Sequence, residues 1–320
     1  MLCLSEQDIA NSVTFNEIRE AVEEAMVIYE RGDYYMPQRI HLDYNGNTLL
    51  LMPCFKKTGF STKLVTVFPE NQKKELPVIQ GTVILNDIET GEPLALFNGA
   101  KLTALRTGAV GAVGIKYLTS EDISSLGIIG AGVQGINQAI FACSQREFSE
   151  IHVYDTDQDR LKIFSEQIRL YYPSPRIHFS ESSSNLVQNS GVIITATTSN
   201  NPVIPDDKSI LAGKQYIGIG SFKPEMREFP EVLFNILDHI FVDTDFAMKE
   251  SGDLTQPLEN GWIEKSKIST LGKLIIGKED VAQGATLLFK SVGMALFDLV
   301  VSQLIYQKAK EKKLGTTIKL

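Results

Sequence analysis

The run Gly130-Ala131-Gly132-Val133-Gln134-Gly135 is a G-x-G-x-x-G. Glycine at these three places has a separate physical use at each: a tight turn, a close backbone approach to a pyrophosphate, and a helix packed hard against a strand. The phosphates would meet the unpaired N–H groups at the start of the helix that follows. Short glycine patterns also arise by chance, so the flanking residues decide. The apolar run Ser125–Ile129 precedes the turn, and helical spacing over about 133–144 follows it. Twenty residues after Gly135, Asp155 closes a second apolar run, 151–154. A carboxylate there accepts hydrogen bonds from ribose hydroxyls and repels a 2′-phosphate. Thr156, Asp157 and Gln158 follow it, and the nearest arginine is Arg160. The pattern predicts a dinucleotide site with NAD(H) favoured and NADP(H) as the alternative. Gly130, Gly132, Val133, Gln134, Gly135 and Asp155 would hold the cofactor. Thr195 and Thr197 end a later strand, where ligands gather in such sheets. They read equally well as a polar strand end or as cofactor contacts.

Three cations stand in unusual company. Lys63 lies inside the apolar run Ser61-Thr62-Lys63-Leu64-Val65, and Arg39 follows Met36-Pro37-Gln38. Arg106 lies in Leu102-Thr103-Ala104-Leu105-Arg106-Thr107-Gly108-Ala109, a stretch otherwise uncharged after Lys101. A cation in an apolar element must find an anion or stay hydrated. Arginine offers a planar fork that matches a carboxylate. Taken singly, each reads as a snorkelling surface cation or a structural ion pair. Taken together, with a nucleotide domain in the same chain, they suggest a pocket for an anionic substrate.

The elements that position these residues follow from periodicity. Ser5 to Asp8 forms a helix cap, and Ile18, Val22, Ala25, Met26 and Tyr29 give helical spacing over 15–31, ended by Gly32-Asp33. Strand-like runs follow at 38–44, 48–53, 61–68, 78–87 and 93–98, with Asn45-Gly46 as a tight hairpin turn between the first two. This is an antiparallel meander. After a helix over 102–118, strands at 125–129, 151–154, 177–179, 191–195, 215–220 and 239–242 alternate with helices, as in a parallel α/β sheet. A long helix over about 291–312 closes the chain. The expected fold is α/β: a Rossmann-type dinucleotide-binding domain, 117–288, inserted in an α+β substrate-binding and dimerisation domain, 1–116 plus 289–320.

Composition narrows the partners. The 320 residues carry 31 Lys and Arg against 39 Asp and Glu, a net charge of −8, which argues against nonspecific nucleic-acid binding. The N-terminus has no basic start and apolar h-region, and no apolar run approaches 18 residues, so neither a signal peptide nor a membrane span is expected. Cys3, Cys54 and Cys143 are odd in number and far apart, and the four histidines are scattered. That spacing suggests no metal centre and no disulfide framework, and a reducing cytoplasm is the default location.

Several blocks together resemble the ornithine cyclodeaminase/mu-crystallin family. They are Ile84-Leu85-Asn86-Asp87, Thr90 to Ala95, Leu102 to Ala109, Gly130 to Gln134, Gly220 to Glu228, Glu250-Ser251-Gly252-Asp253 and Ser291 to Ala295. They span nearly the whole chain in order. The resemblance implies a homodimer with an NAD(P)-binding Rossmann domain. It implies that Arg39, Lys63 and Arg106 hold the substrate carboxylate and line the reacting centre. It also implies that Ser221, Phe222, Ser291 and Val292 lie on the cofactor side, the last two near the nicotinamide.

One departure is informative. Cyclodeaminases place an Asp two residues before the Pro of the G-x-x-x-P block; here Phe222 precedes Lys223-Pro224. The strand 48–53 also lacks the acid that cyclodeaminases carry. An ornithine ammonium would stand unpaired in such a pocket. The expectation is therefore an NAD(P)H-dependent reductase of a small cyclic α-imino acid, Δ1-pyrroline-2-carboxylate or Δ1-piperideine-2-carboxylate, or the related amino-acid dehydrogenase. An ornithine cyclodeaminase and a nucleotide-binding protein with little turnover are the alternatives.

Overall fold

The computed structural model describes residues 1–319, apart from the side chain of Gln72. The chain folds into two compact units, Met1–Arg106 with Met294–Leu320, and Thr107–Gly293.

The first unit opens with β1 (Leu2–Leu4), α1 (Glu6–Ser12) and α2 (Phe15–Arg31). Ser5 and Asp8 close a reciprocal capping box at the start of α1, and Thr14 with Glu17 does the same for α2. The meander follows as β2 (Ile40–Tyr44), β3 (Asn47–Lys56), β4 (Gly59–Val67), β5 (Ile79–Asn86) and β6 (Pro93–Asn98), each antiparallel to the next. Asn45 and Gly46 have φ of +49° and +75°, the left-handed pair that a two-residue hairpin with the right twist requires. Along β4, Gly59, Ser61 and Lys63 alternate onto the buried face. The C-terminal helix (Ala295–Lys312) packs on that face, against β3, β4 and α2. It covers Lys63 and carries the only acid of its first turn, Asp298.

Helix α3 (Gly99–Leu118) leads into the second unit. The division falls inside it, not after residue 116 as the sequence suggests. The reason is packing: from Thr107 onward α3 belongs to the nucleotide unit. A Cβ added at Gly108 or Gly114 would stand 2.5 Å from Phe141 or 2.7 Å from Phe289. Gln138 Nε2 donates to the Thr107 carbonyl at 2.7 Å. Strands β7 (Ser125–Ile129), β8 (Glu150–Tyr154), β9 (Arg176–Phe179), β10 (Val192–Thr195), β11 (Gln215–Gly218), β12 (His239–Val242), β13 (Ile268–Thr270) and β14 (Leu287–Lys290) form one sheet. Its order is β13-β12-β14-β11-β10-β7-β8-β9, and every neighbouring pair is parallel. Helices α4 (Val133–Gln145) and α5 (Gln158–Tyr171) connect β7 to β8 and β8 to β9.

After β14 the chain returns to the first unit. Gly293 has φ of +76° and Met294 is extended, so the last helix starts at Ala295 and not near 291. A final strand, β15 (Thr316–Thr317), pairs with β1 at the sheet's end, giving the order β15-β1-β6-β5-β4-β3-β2.

Two glycines of the βα turn should separate on substitution. A Cβ at Gly135 would lie 1.8 Å from the Gly130 carbonyl oxygen, whereas one at Gly132 would meet nothing within 4 Å. Gly135→Ala is expected to cost about 2 kcal/mol or more, a fall in Tm of roughly 4–8 °C, while Gly132→Ala stays within about 1–2 °C of the parent. Thermal unfolding followed by circular dichroism distinguishes the two.

Candidate active site

In the second unit, β7 and β10 are neighbours from which the strand order runs outward in opposite directions, β7-β8-β9 on one side and β10-β11 on the other. That switch point opens a crevice at the carboxyl ends of the strands. A cleft of about 660 Å³ occupies it, lined by Gly130, Gly132, Gln134, Asp155, Thr197 and Ser199 among others. Gly130 has φ of +100°, which a side chain would strain, and its missing Cβ leaves room for the Ala196 carbonyl. Gly132 faces open space. Gly135 closes the helix onto the turn. Asp155 Oδ2 accepts the Ala131 N–H at 2.7 Å, and Oδ1 accepts the Asp157 N–H at 2.9 Å. The carboxylate thus ties the end of β8 to the glycine turn and retains lone pairs for further donors. Arg160 also lines the cleft, with Nε 3.4 Å from Asp157. Gln134 Oε1 is a buried acceptor without a hydrogen-bond partner, an orphan at the cleft wall that a ligand donor would satisfy. Open backbone at Gly132, this orphan acceptor and the anchored carboxylate fit a dinucleotide.

A buried carboxylate sets the far wall. Glu228 Oε1 accepts from both the backbone N–H and the hydroxyl of Thr197, each at 2.8 Å. Its Oε2 accepts the N–H groups of Gly220 at 2.9 Å and Ser221 at 3.2 Å. One side chain therefore holds the loops leaving β10 and β11. Asp253 Oδ1 in turn accepts the Glu228 N–H at 2.6 Å, and Lys290 Nζ lies 3.0 Å from Asp253 Oδ2 and 4.0 Å from Glu228 Oε2. Burial pushes the Glu228 carboxyl above its usual range, Lys290 draws it back, and Asp253 adds to the upward push.

The predicted cofactor-side residues divide accordingly. Gly130, Gly132, Val133, Gln134, Asp155 and Thr197 line the cleft. Thr195 does not: it is the last residue of β10 and fully buried, and the lining passes to Ala196, Thr197 and Thr198. Ser221 is also fully buried, its hydroxyl donating to the Met226 carbonyl at 2.6 Å and lying 2.7 Å from that of Ser251. Ser291 is held by Asp243 at 2.6 Å, and Val292 packs against the unit's core. Ser221, Ser291 and Val292 are not among the residues that line this cleft. Phe222 is partly exposed, and Lys223 Nζ lies 6.0 Å from its ring centre.

In the first unit, two of the singled-out cations converge on one acid. Lys63 Nζ is 2.7 Å from Asp298 Oδ2, and Arg106 Nε is 3.3 Å from Asp298 Oδ1. Asp298 has no exposure, Lys63 3% and Arg106 7%. Burial lowers the Lys63 pKa to about 8; Asp298 opposes the shift, while Arg106 and Arg39 add to it by repulsion. Arg39 is half-buried just before β2, close enough for that influence. Within the buried trio of Lys63, Arg106 and Asp298, two cations meet one acid and leave one positive charge uncompensated. Of the two readings of Lys63 and Arg106 in sequence, these contacts show the buried ion cluster.

Sequence reasoning missed Asp298, Glu228, Asp253 and Lys290 as site residues. The signal was available: Asp298 interrupts Ala-Leu-Phe and Leu-Val-Val, and Lys290 ends the apolar run Leu-Leu-Phe. A lone charge in an apolar run implies a buried partner.

Replacing Asp298 with Asn keeps the shape and removes the countercharge. The expected cost is about 3 kcal/mol or more, a fall of roughly 6–12 °C in the unfolding of this unit. Because Asp298 opposes the lowering of Lys63, the Lys63 pKa should fall below its present value of about 8. Calorimetry and the titration of ¹⁵N-labelled lysine check the two outcomes.

Residues 1–313 match the family model described as the ornithine cyclodeaminase/mu-crystallin family. A Δ(1)-pyrroline-2-carboxylate reductase of Bacillus cereus is 32% identical over 328 aligned positions, covering 99% of each chain. The solved structure of Thermococcus litoralis Δ(1)-pyrroline-2-carboxylate reductase in complex with NADH and L-proline aligns with a TM-score of 0.93 at 32% identity, over 99% of this chain and 100% of that one. An archaeal alanine dehydrogenase dimer with bound NAD gives a TM-score of 0.91 at 28% identity, over 100% of this chain and 99% of that one. With this likeness end to end, the chain belongs to the ornithine cyclodeaminase/mu-crystallin family.

Proposed function

We propose that the protein is an NAD(H)-dependent reductase of a small cyclic α-imino acid, Δ1-pyrroline-2-carboxylate or Δ1-piperideine-2-carboxylate, yielding L-proline or L-pipecolate. Run in reverse, the same site oxidises the L-amino acid. The observation that carries the reading is the buried Lys63–Asp298–Arg106 cluster with its one uncompensated positive charge. The full-length likeness to a reductase solved with NADH and L-proline supports the same chemistry.

When bound, NADH supplies the hydride that reduces the imine carbon beside the carboxylate. The glycine turn, Gln134, Asp155 and Thr197 hold the dinucleotide, and Asp155 favours the unphosphorylated ribose. Arg106 and Arg39 take the substrate carboxylate; the Arg106 fork engages it while Nε stays on Asp298. Lys63 keeps the imine nitrogen protonated, which raises its electrophilicity, and restores its own proton from solvent. Phe222 stands where cyclodeaminases carry an Asp, so that block offers no carboxylate for the second ammonium of ornithine.

The reading includes a homodimer in a reducing cytoplasm. Supporting it, Ile40, Leu42 and Tyr44 alternate on one face of the edge strand β2, each at least 46% exposed. Cys3, Cys54 and Cys143 are all unpaired, and no helix among the described residues is long and apolar enough to cross a membrane.

Absorbance at 340 nm with Δ1-pyrroline-2-carboxylate should fall faster with NADH than with NADPH, and L-ornithine should release no ammonia. Ammonia from ornithine without net NADH change would replace the reductase by a cyclodeaminase. The Lys63 ammonium is present below about pH 8 and lost above it. Imine reduction should therefore hold steady through neutrality and decline as pH rises through about 8, while amino-acid oxidation climbs over the same interval. Lys63→Met should abolish that limb and lower kcat by about 10²-fold or more.

Arg106→Ala should raise KM for the imino acid and lower kcat/KM by about 10²–10³-fold, with NADH affinity by fluorescence titration near that of the parent. Unchanged steady-state kinetics would remove Arg106 from the site.

A further inference from the structure

Strand β9 is the edge of the parallel sheet and pairs with β8 alone. Their register places Glu150 opposite Arg176 and His152 opposite His178. Alternate residues of a strand share a face, so these four side chains project together. The two imidazoles, scattered in sequence, are stacked with centroids 4.8 Å apart and planes at 14°. Glu150 Oε2 is 3.6 Å from His152 Nε2, and Oε1 is 3.9 Å from His178 Nε2. The three ligand atoms all lie within 4.8 Å of one another. The His152 side chain is 9% exposed, and its Nε2 is buried without a hydrogen-bond partner. An orphaned buried nitrogen aimed at a carboxylate and a second imidazole is costly unless something joins them.

We propose that Glu150, His152 and His178 form a binding site for a divalent transition-metal ion, Zn²⁺ foremost. Two imidazole nitrogens and one carboxylate oxygen suit zinc and exclude calcium and magnesium, which take oxygen ligands. Bonds of about 2.0–2.2 Å in a tetrahedron put neighbouring ligand atoms about 3.3–3.5 Å apart. The two glutamate–histidine separations, 3.6 and 3.9 Å, run to different oxygens of Glu150, so its carboxylate must turn one oxygen toward both nitrogens as the imidazoles draw together, and His178, 45% exposed, has room to turn. The fourth position is open to water.

Arg176 is the internal competitor. Its Nη2 lies 3.1 Å from Glu150 Oε1, on a side chain 76% exposed. It occupies one carboxylate oxygen and brings positive charge to the site, so it should weaken metal binding. Glu150 opens β8, His152 is its middle residue and His178 the third of the four in β9, whereas Asp155 follows the carboxyl end of β8. A metal here would fasten the edge strand to its neighbour and take no part in imine reduction.

The test is calorimetric titration of Zn²⁺ into the full-length protein after chelator treatment. One site per chain with Kd of about 10 µM or tighter is expected. Co²⁺ in its place should give the intense visible bands of four-coordination. His178→Ala, at an exposed position, should bind at least about tenfold more weakly and lose the Zn²⁺-induced rise in Tm, with its metal-free Tm unchanged. Arg176→Ala should bind more tightly than the parent. A Cys3→Ser/Cys143→Ser variant should bind as the parent does. No saturable binding below about 1 mM, or the same Kd in parent and His178→Ala, would overturn the site.

Discussion

A carboxylate without solvent exposure holds the first unit together electrically. Lys63 is ion-paired with one Asp298 oxygen and Arg106 with the other, and the C-terminal helix, β4 and α3 converge on this pair of contacts. Each charge alone would be prohibitive to bury, and together they are tolerable because the surplus is a single positive charge. On the proposed reading that surplus is what attracts one carboxylate, and burial, with the repulsion of Arg106 and Arg39, lowers the Lys63 pKa to about 8.

The second unit uses the opposite sign in the same way. Glu228 takes four donors from the loops after β10 and β11, and Lys290 with Asp253 makes that burial tolerable. Preorganisation explains why so many polar groups are buried away from the cleft surface. A loop that must present Thr197 at a fixed place is more precise when braced from behind. Ser221, Ser291 and Thr195 are themselves buried, the two serines hydrogen-bonded to their surroundings.

Much of this was legible in the residues. The glycine turn, the acid after the second strand, the meander with its Asn-Gly corner and the helix Phe15–Arg31 all follow from local patterns with a mechanical cause. The convergence of Lys63 and Arg106 was legible only as a demand for some anion. Which anion depends on the face that the last helix turns to the sheet, and a helix with apolar residues on nearly every side does not declare that face. Strands β13 and β14 escaped notice because runs of three or four buried residues carry no period. The pairing of His152 with His178 depends on the register of two parallel strands, which the intervening helix does not encode locally. The unit boundary inside α3 depends on small residues that let neighbouring side chains approach, a property of the packing partner as much as of the helix.

The discontinuity of the first unit has a consequence for biosynthesis. Lys63 and Arg106 emerge from the ribosome long before Asp298, whereas the whole of Thr107–Gly293 is complete before the last helix appears. Until that helix arrives, closing the meander over its cations would bury them without an anion. The inserted unit can therefore fold on the ribosome as domains commonly do, while the unit that begins first in the chain must finish last. The nascent meander waits with an apolar sheet face uncovered, and the emergence of the last helix is the event that lets it close.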